Sequence, residues 1–332
     1  MPTESVFLTG GSGFVGSHVL RELLLSGYAV RALSRDSKGE RILQIAGPHA
    51  DCTIVAGDLQ SPGSFARALE GCTYVIHCAA AYSFSLGMRS SLDAINVKGT
   101  AGLLEAAHIA GAARAVVTSS SAVLGSARDG RPRTESDWET GALHAGYHAS
   151  KVRQERAAFA SRVPVVSLLP TAPVGPGDWK PTPTGQIILD FACGKMFALP
   201  PHGGINLVPV EDVARAHVAA LQYGRAGERY ILGGENLLLD DLWQLLSAIT
   251  KKPLPHWRAP AALAVAAARA EEVRSRFTGS RPLIPLEGAR MASELMFADS
   301  SKARRELGFS PGAVSEALER ALLWYRGNGS CA

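Results

Sequence analysis

A glycine-rich loop near the first residue constrains the fold more than any other feature of this chain. Residues 9–16 read Thr-Gly-Gly-Ser-Gly-Phe-Val-Gly and follow a short apolar run at residues 6–8, which has the character of a strand. Apolar residues then recur with helical spacing through residues 15–25. A glycine loop between a strand and a helix brings backbone N–H groups and the positive end of the helix dipole to a pyrophosphate. No Gly-Lys-Ser/Thr follows, so the loop predicts a dinucleotide site rather than a Walker site.

The glycines of this loop have separate predicted tasks. Gly10 permits a tight turn, Gly13 lets the backbone approach a pyrophosphate, and Gly16 lets the helix pack close to the strand. Phe14 and Val15 complete the predicted cofactor-binding residues of the loop. The alternative is a glycine-rich turn that binds nothing, and the strand before and helix after the loop argue against it.

The first half of the chain alternates between strand and helix patterns. The predicted strands are apolar throughout and lie at residues 6–8, 28–33, 52–55, 73–77, 115–118 and 163–169. The predicted helices between them lie at residues 15–25, 61–71, 92–110 and 147–161. Strands without polar alternation indicate a parallel sheet covered on both faces, and right-handed crossovers then give a doubly wound α/β (Rossmann) fold.

The second half lacks the regular alternation of strand and helix patterns, so we predict two domains. Residues 1–170 would form the Rossmann domain that binds NADP, and residues 171–332 a smaller, mostly helical lobe that binds the substrate. Proline and glycine cluster in residues 170–185, which indicates a loop region over the sheet. A strand-helix segment near residues 205–222 is expected to return to the main sheet.

Composition argues against several classes of protein. Lys and Arg number 34 against 30 Asp and Glu, a net charge of +4, and they are scattered, so no nucleic-acid partner is expected. The five cysteines include no C-x-x-C pair, which predicts free thiols and no metal site. No apolar run approaches the roughly 20 residues that span a bilayer. No secretory leader is recognisable either, and we expect a cytoplasmic protein.

The residues after the second predicted strand bear on the choice of cofactor. An acidic residue there accepts hydrogen bonds from the adenosine ribose of NAD, whereas an arginine can bind the 2′-phosphate of NADP. The chain has Arg35 followed by Asp36 at this place, with Lys38 and Arg41 adding positive charge nearby. We favour Arg35 at the strand tip and therefore NADP (NADPH). If Asp36 is the ribose ligand instead, the cofactor is NAD.

Tyr147 and Lys151 are the first candidates for catalysis, because a spacing of four places both side chains on one helix face. Three serines at residues 119–121 end the strand at residues 115–118, and ligands of parallel sheets bind outside the carboxyl ends of strands. A serine there can hydrogen-bond a carbonyl oxygen while the tyrosine donates a proton to it as hydride arrives. A free tyrosine has a pKa of about 10, so the lysine ammonium is needed to favour its phenolate.

Several short motifs follow one another in a characteristic order. They are Thr9-Gly10-x-x-Gly13-x-x-Gly16, Gly57-Asp58-Leu59, His77-Cys78-Ala79-Ala80, Asn96-Val97-x-Gly99-Thr100, the three serines, and Tyr147-x-x-x-Lys151. In order and spacing the chain resembles the extended short-chain dehydrogenases/reductases over roughly residues 5–176.

The resemblance implies a wider set of cofactor-binding residues. Its members would border the adenine, line the dinucleotide or hold the nicotinamide ribose, and they are Asp58, Leu59, Ala79, Ala80, Lys151, Pro170 and Val174. It also implies a homodimer formed through the helices at residues 92–110 and 147–161.

The resemblance also bears on the catalytic residues. Asn96 would stabilise the helix beside the site. The family pattern S-x-x-x-x-G, counted back from Gly125, makes Ser120 the catalytic serine. Ser119 and Ser121 stay open as alternatives.

Two branches of the family compete. Residues 30–36 and 70–73 resemble dihydroflavonol-4-reductase relatives. Residues 180–185, 227–236 and 290–297 resemble hopanoid-associated sugar epimerases, and this second resemblance is the closer one over the whole chain. The first resemblance implies NADP(H)-dependent reduction of a ketone or aldehyde in a small, largely apolar carbonyl substrate, which we prefer. The second implies a nucleotide-sugar epimerase or dehydratase with a retained cofactor. The complete Ser, Tyr and Lys set argues against a non-catalytic NADP sensor.

Two positions bear on this choice. Sugar-nucleotide epimerases usually have an asparagine that contacts the substrate where this chain has Ala172, which favours the reductase. Arg290 resembles their diphosphate-binding arginine, which favours the alternative. The residues expected to contact the substrate are mostly apolar and are Tyr82, Phe84, Ser121, Trp179, Met196 and Arg290.

Overall fold

The computed structural model describes residues 4–81, 92–127, 130–139, 146–278, 289 and 292–330. The strands in chain order are β1 (Ser5–Thr9), β2 (Ala29–Ser34), β3 (Cys52–Ala56), β4 (Tyr74–His77), β5 (Arg114–Thr118), β6 (Val165–Pro170), β7 (Ala172–Val174), β8 (Gly204–Pro209), β9 (Arg229–Leu232), β10 (Glu235–Leu238) and β11 (Leu295–Met296). Seven of them form one sheet in the order β3-β2-β1-β4-β5-β6-β9, and all neighbours in it are parallel.

Helices flank this sheet and build most of the C-terminal part. In chain order they are α1 (Phe14–Leu25), α2 (Glu40–Ala46), α3 (Thr100–Ile109), α4 (Gly146–Phe159), α5 (Pro183–Ala192), α6 (Val210–Tyr223), α7 (Leu239–Thr250), α8 (Ala261–Thr278), α9 (Ser301–Leu307) and α10 (Val314–Gly327). A π-helical segment, Asp93–Gly99, leads directly into α3. Within the described ranges, none of the helices combines the length and hydropathy needed to cross a bilayer.

Strand β1 shows why both faces of the main sheet are covered. Val6 and Leu8 pack with Leu20 of α1 on one face, whereas Phe7 packs with Leu103 of α3 on the other. Successive side chains of a strand point to opposite faces, so an apolar strand needs a helical layer on each side. The predicted doubly wound Rossmann fold with a largely helical C-terminal part is confirmed.

A smaller sheet corrects one expectation. Strand β8 pairs with β7, β10 and β11 rather than with the main sheet, and its Leu207 packs with Trp243 of α7. The segment near residues 205–222 therefore divides between two layers. Its helix, α6, packs against α1 on the main sheet, and β9 is the strand that returns to the edge beside β6.

The segment at residues 61–71, predicted as a helix, forms two short 3-10 turns instead, Pro62–Ser64 and Ala66–Leu69. Phe65 separates them with a non-helical φ of −132° and ψ of −6°, and the centroid of its ring lies 5.8 Å from that of Phe7. Burial of this one aromatic side chain outweighs continuation of the helix.

The cysteines also depart from expectation at one position. Cys52, Cys72 and Cys78 are free thiols, but Cys193 is disulfide-bonded, so the prediction of free thiols is wrong there. The Cys193 Sγ lies 3.6 Å from the Ser330 carbonyl oxygen, which shows that the end of the chain folds back onto α5. Spacing along the sequence does not reveal such a contact.

Candidate active site

The glycine loop between β1 and α1 is packed too tightly for side chains. Gly10 has a φ of +77°, and a Cβ there would lie 2.6 Å from the Ala79 nitrogen. A Cβ on Gly16 would lie 2.1 Å from the Gly10 carbonyl oxygen. Gly13 is the N-cap of α1 and supplies no side-chain cap, so the first N–H groups of the helix can bind an anion. The loop therefore fits the pyrophosphate of a dinucleotide.

The loops after β3 and β4 hold further predicted cofactor residues. Asp58 and the buried Leu59 follow β3 closely. Ala79 donates its N–H to Thr9 Oγ1 at 3.3 Å and so borders the glycine loop, with Ala80 exposed beside it. These loops and the glycine loop lie at the carboxyl edge of the sheet, where parallel sheets bind ligands.

The other predicted cofactor residues have mainly apolar contacts. Phe14 and Val174 line one small cavity. Val15 packs against the core layer of α1, and Pro170 is the buried last residue of β6.

Arg35 is the first residue beyond β2 and is exposed. The neighbouring Asp36 is engaged in its own turn, because its Oδ1 accepts the Lys38 N–H at 3.1 Å. The guanidinium of Arg35 therefore follows the strand directly, and the Asp36 carboxylate is one residue further along.

Three of the predicted substrate residues are described, namely Ser121, Trp179 and Met196. Among its described neighbours, the Trp179 ring lies 5.0 Å from the Arg41 guanidinium carbon and 4.9 Å from the Trp324 ring, near α2 and α10. Met196 packs against the core of the smaller lobe. The other predicted substrate residues lie outside the described residues, and they are Tyr82, Phe84 and Arg290.

Ser120 and Tyr147 meet beyond the carboxyl end of β5. The Tyr147 hydroxyl and the Ser120 side chain are hydrogen-bonded, and Ser120 Oγ also accepts the Ala122 N–H at 3.2 Å. Burial raises the pKa of Tyr147 to about 12, against a smaller opposing effect of the Ser120 hydrogen bond. The phenol is thus protonated at neutral pH. Ser119, an open alternative, has a buried Oγ without a hydrogen-bond partner in the described part of the chain.

Lys151 is almost fully buried, one turn after Tyr147 on α4. Its Nζ donates to the Thr118 carbonyl oxygen at 2.9 Å and to Gln154 Oε1 at 2.5 Å. Burial lowers the pKa of Lys151 to about 8, and the nearby Glu155 carboxylate opposes this shift. The lysine is therefore mostly cationic at pH 7 and lies on the same helix face as the tyrosine.

Asn96 links the loop after β4 to α4. Its Oδ1 accepts the Ala81 N–H at 2.7 Å, and its Nδ2 donates to the Ala81 carbonyl oxygen at 2.9 Å and to Ser150 Oγ at 3.1 Å. Ser150 Oγ donates in turn to the Tyr147 carbonyl oxygen at 2.7 Å. Asn96 belongs to the π-helical segment, a distortion that recurs at functional sites because it redirects side chains.

Sequence reasoning gives no role of their own to the polar residues behind the site, which are His77, Thr100, Gln154 and His217. His77 hydrogen-bonds Thr100 Oγ1 at 2.8 Å, and burial lowers the pKa of His77 to about 3, so the ring is neutral. Thr118 Oγ1 lies 2.8 Å from His217 Nε2, and burial lowers the pKa of that histidine to about 4. His77 and Thr100 lie within the motifs, whereas Gln154 gives no sequence signal beyond its distance of three residues from Lys151.

Comparison with known families gives one broad match. The model of the NAD dependent epimerase/dehydratase family matches residues 6–233. The chain is 38% identical to a Synechocystis protein named as a dihydroflavonol 4-reductase, over 98% of this chain and 96% of the relative. It is 32% identical to sterol demethylase protein B of Methylococcus capsulatus, over 98% and 99% of the two chains.

Solved structures give a consistent comparison. The crystal structure of gox2253 is 36% identical and superposes with a TM-score of 0.85, over 99% of this chain and 100% of that one. A nucleoside-diphosphate-sugar epimerase from Pseudomonas aeruginosa is 25% identical with a TM-score of 0.79, over 99% of each chain. The dTDP-glucose 4,6-dehydratase DesIV from Streptomyces venezuelae, solved with NAD and TYD bound, is 26% identical with a TM-score of 0.77, over 98% of each chain.

Proposed function

Because the chain belongs to the NAD dependent epimerase/dehydratase family, we propose that it is an NADP(H)-dependent oxidoreductase that reduces a ketone or aldehyde on a small, largely apolar substrate. The observation that carries the proposal is the hydrogen-bonded pair of Ser120 and Tyr147, with the Lys151 ammonium one turn away. This group lies at the same edge of the sheet as the glycine loop.

The chemistry follows from the protonation states. Bound NADPH supplies a hydride. The Ser120 hydroxyl and the Tyr147 phenol donate hydrogen bonds to the substrate carbonyl oxygen, and the phenol transfers its proton to that oxygen as the carbon is reduced. The raised pKa of Tyr147, about 12, keeps the phenol protonated before reaction. The Lys151 ammonium then stabilises the phenolate that is left.

NADP is proposed over NAD on the strength of the loop after β2. Arg35 is exposed there, whereas Asp36 accepts a hydrogen bond within its own turn. A planar guanidinium suits bidentate binding of the adenosine 2′-phosphate. The proposed contacts of Asp58, Leu59, Ala79 and Ala80 with the dinucleotide belong to the same assignment.

The substrate class rests on the relatives and on Ala172. The relatives include proteins named as dihydroflavonol 4-reductase and tetraketide alpha-pyrone reductase. Ala172 begins β7 and packs against the apolar core of the smaller lobe, and its methyl group offers no hydrogen bond to a sugar or phosphate.

A direct assay tests this function. The purified protein is incubated with NADPH and a panel of ring ketones, dihydroflavonols and aldehydes, and with nucleotide sugars in a parallel arm. We expect stoichiometric NADPH consumption and an alcohol product with at least one carbonyl compound. Inversion or dehydration of a nucleotide sugar without net NADPH consumption would instead establish the second candidate, an epimerase or dehydratase with retained cofactor, which the solved neighbours support.

The remaining assignments concern the whole protein. We propose a cytoplasmic homodimer formed through α3 and α4, and a division into an NADP-binding domain (residues 1–170) and a substrate lobe (residues 171–332). Light scattering of the purified protein tests the dimer, for which a single species of twice the chain mass, 35.0 kDa, is expected.

A further inference from the structure

Gln154 is the second acceptor of the Lys151 ammonium, and no motif includes it. It lies on α4 three residues after Lys151, and only 1% of its surface is exposed. A buried primary amide carries four hydrogen-bonding positions, so its orientation must be fixed by its neighbours.

The neighbours of Gln154 fix which end of the amide faces the lysine. Thr100 Oγ1 donates its proton to the Asn96 carbonyl oxygen at 2.6 Å, so it can act towards its other partners only as an acceptor. Those partners are Gln154 Nε2 at 3.0 Å and His77 Nε2 at 2.8 Å. The amide NH₂ therefore points to Thr100, which leaves Oε1 for the ammonium.

The same chain of hydrogen bonds ends at the cofactor loops. His77 must carry its proton on Nε2, so its Nδ1 accepts from Thr9 Oγ1 at 2.7 Å. Thr9 Oγ1 in turn accepts the Ala79 N–H at 3.3 Å. Each donor in this series of hydrogen bonds has an acceptor. The neutral state of His77 agrees with its lowered pKa of about 3. Hydrogen bonds thus connect the lysine, through Gln154, Thr100 and His77, to Thr9 at the end of β1.

The charges around the Lys151 ammonium show why the Gln154 Oε1 acceptor is important for keeping the lysine charged. Glu155 on α4 and the Cys78 thiol after β4 both favour the charged lysine, whereas burial disfavours it. His77 is neutral and contributes no charge, and Tyr147 is a protonated phenol. A neutral amide oxygen 2.5 Å from Nζ is therefore one of few direct partners of a buried cation.

We propose that Gln154 is a positioning residue, which holds the Lys151 ammonium protonated and in place beside Tyr147. The part concerning proton transfer rests on the proposed reductase function. The part concerning the lysine itself does not, because it follows from hydrogen bonds within the chain.

The test compares two substitutions with opposite electrostatics. Gln154→Met keeps the length of the side chain and removes the acceptor, so the ammonium loses its proton at lower pH. Gln154→Glu keeps an oxygen and adds a negative charge, so the proton is held to higher pH. Gln222→Met is the matched control, because Gln222 lies on α6 and contacts Tyr28 rather than the site.

Two readouts are measured between pH 6 and 10. For carbonyl reduction, we expect the alkaline limb of kcat to move down by about one pH unit in Gln154→Met, with kcat reduced about tenfold, and up by about one unit in Gln154→Glu. The Kd for NADPH, measured by fluorescence, should rise at high pH, because the resemblance implies that the lysine also holds the nicotinamide ribose. The pH at which it rises should move down by about one unit in Gln154→Met and up by about one unit in Gln154→Glu. The control should match the unmodified protein in both.

The outcomes separate the two proposals. If the pH dependence of the Kd for NADPH is displaced as expected but no carbonyl compound is reduced, the positioning role of Gln154 is supported and the reductase function is not. The role of Gln154 would be overturned if the alkaline limb of the pH profile stays in place in both Gln154 variants, or moves in the same direction in both. If Gln154→Met fails to fold, as judged by circular dichroism, Gln154→Glu alone decides, and an unmoved limb in that variant overturns the proposal.

Discussion

Burial shifts the pKa values of Tyr147 and Lys151 in opposite directions, upward for the phenol and downward for the ammonium. The phenol, with a pKa of about 12, keeps its proton across the physiological range, and the lysine, with a pKa of about 8, keeps most of its positive charge at pH 7. An acid that holds a proton beside a cation suits reduction, in which a negative oxygen develops. The sequence predicts that the Lys151 ammonium lowers the pKa of Tyr147, but burial is the largest influence on this phenol and the net shift is upward. The phenolate that the reverse reaction needs is therefore disfavoured here.

The proposed preference for NADP rests on Arg35 after β2. We expect Arg35→Ala to raise the Kd for NADPH about 10- to 100-fold, because a hydrogen bond to a charged phosphate contributes about 1.5–3 kcal/mol. The Kd for NADH, which lacks the 2′-phosphate, should change less than about twofold. Fluorescence titration of both cofactors measures this. An equal loss for the two would contradict the assignment and favour Asp36 as ribose ligand.

Some residues of the candidate site can be predicted from the sequence and others cannot. The spacing of four predicts that Tyr147 and Lys151 share a helix face, and the structure places Ser120, of the three serines, against Tyr147. Their catalytic roles stay predictions. Gln154 could not be found in this way, since its importance comes from contacts with Thr100, 54 residues away.

At the scale of elements, the junction of β1 and α1 depends on the absence of side chains. Gly16→Ala would place a Cβ 2.1 Å from the Gly10 carbonyl oxygen, and backbone cannot yield as a flexible side chain does. We expect a loss of about 1–3 kcal/mol in the free energy of unfolding and NADPH binding weakened at least about tenfold. Gly63→Ala is the control, because a Cβ there meets nothing within 4 Å. Equal behaviour of the two variants in urea unfolding and cofactor titration would contradict the packing argument.

The tie between α4 and β9 is a buried ion pair. Arg229 Nη2 lies 3.1 Å from Glu155 Oε2, and the two side chains are only 7% and 0% exposed. Arg229→Met removes the guanidinium partner of the buried Glu155 carboxylate, which keeps its hydrogen bond from Ser167 Oγ, so we expect a loss of about 3–5 kcal/mol in urea unfolding. Arg162→Met, which breaks the exposed pair with Glu105, should cost less than about 1 kcal/mol. Similar losses for the two variants would show that burial is not what makes the pair important.

Elements differ in how well the sequence predicts them, for a physical reason. The strands of the main sheet are apolar runs whose burial on both faces is visible locally, as at Val6 to Leu8 of β1. The smaller sheet is not visible in this way. Strands β7 and β11 have three and two residues, and they exist because β8 lies between distant parts of the chain. The 3-10 turns around Phe65 likewise depend on a contact with β1.

At the scale of the whole molecule, buried histidines couple stability to pH. Burial lowers the pKa of His77 to about 3 and the pKa values of His148 and His217 to about 4, from an ordinary value of 6.5. The unfolded chain takes up these protons below pH 6.5 and the folded protein does not. The stability present above pH 6.5 is therefore lost as the pH falls towards 4, by up to about 2 kcal/mol per histidine at pH 5.

Urea unfolding at pH 7 and pH 5 measures this coupling. We expect a lower free energy of unfolding at pH 5, and a smaller fall in His217→Gln than in the unmodified protein. Replacement of the exposed His256 by glutamine should leave the fall unchanged. A free energy that stays constant between the two pH values would contradict the neutral, buried state of these rings.

The central claim is that Tyr147 is the proton donor for a carbonyl reduction by NADPH. Its most direct test is the kcat of Tyr147→Phe, which removes one oxygen atom, with Tyr223→Phe on the exposed face of α6 as the control. We expect kcat for carbonyl reduction to fall about 100- to 10,000-fold in Tyr147→Phe, while the Kd for NADPH changes less than about twofold and the control is unaffected. An unchanged kcat in Tyr147→Phe would show that Tyr147 is not the proton donor.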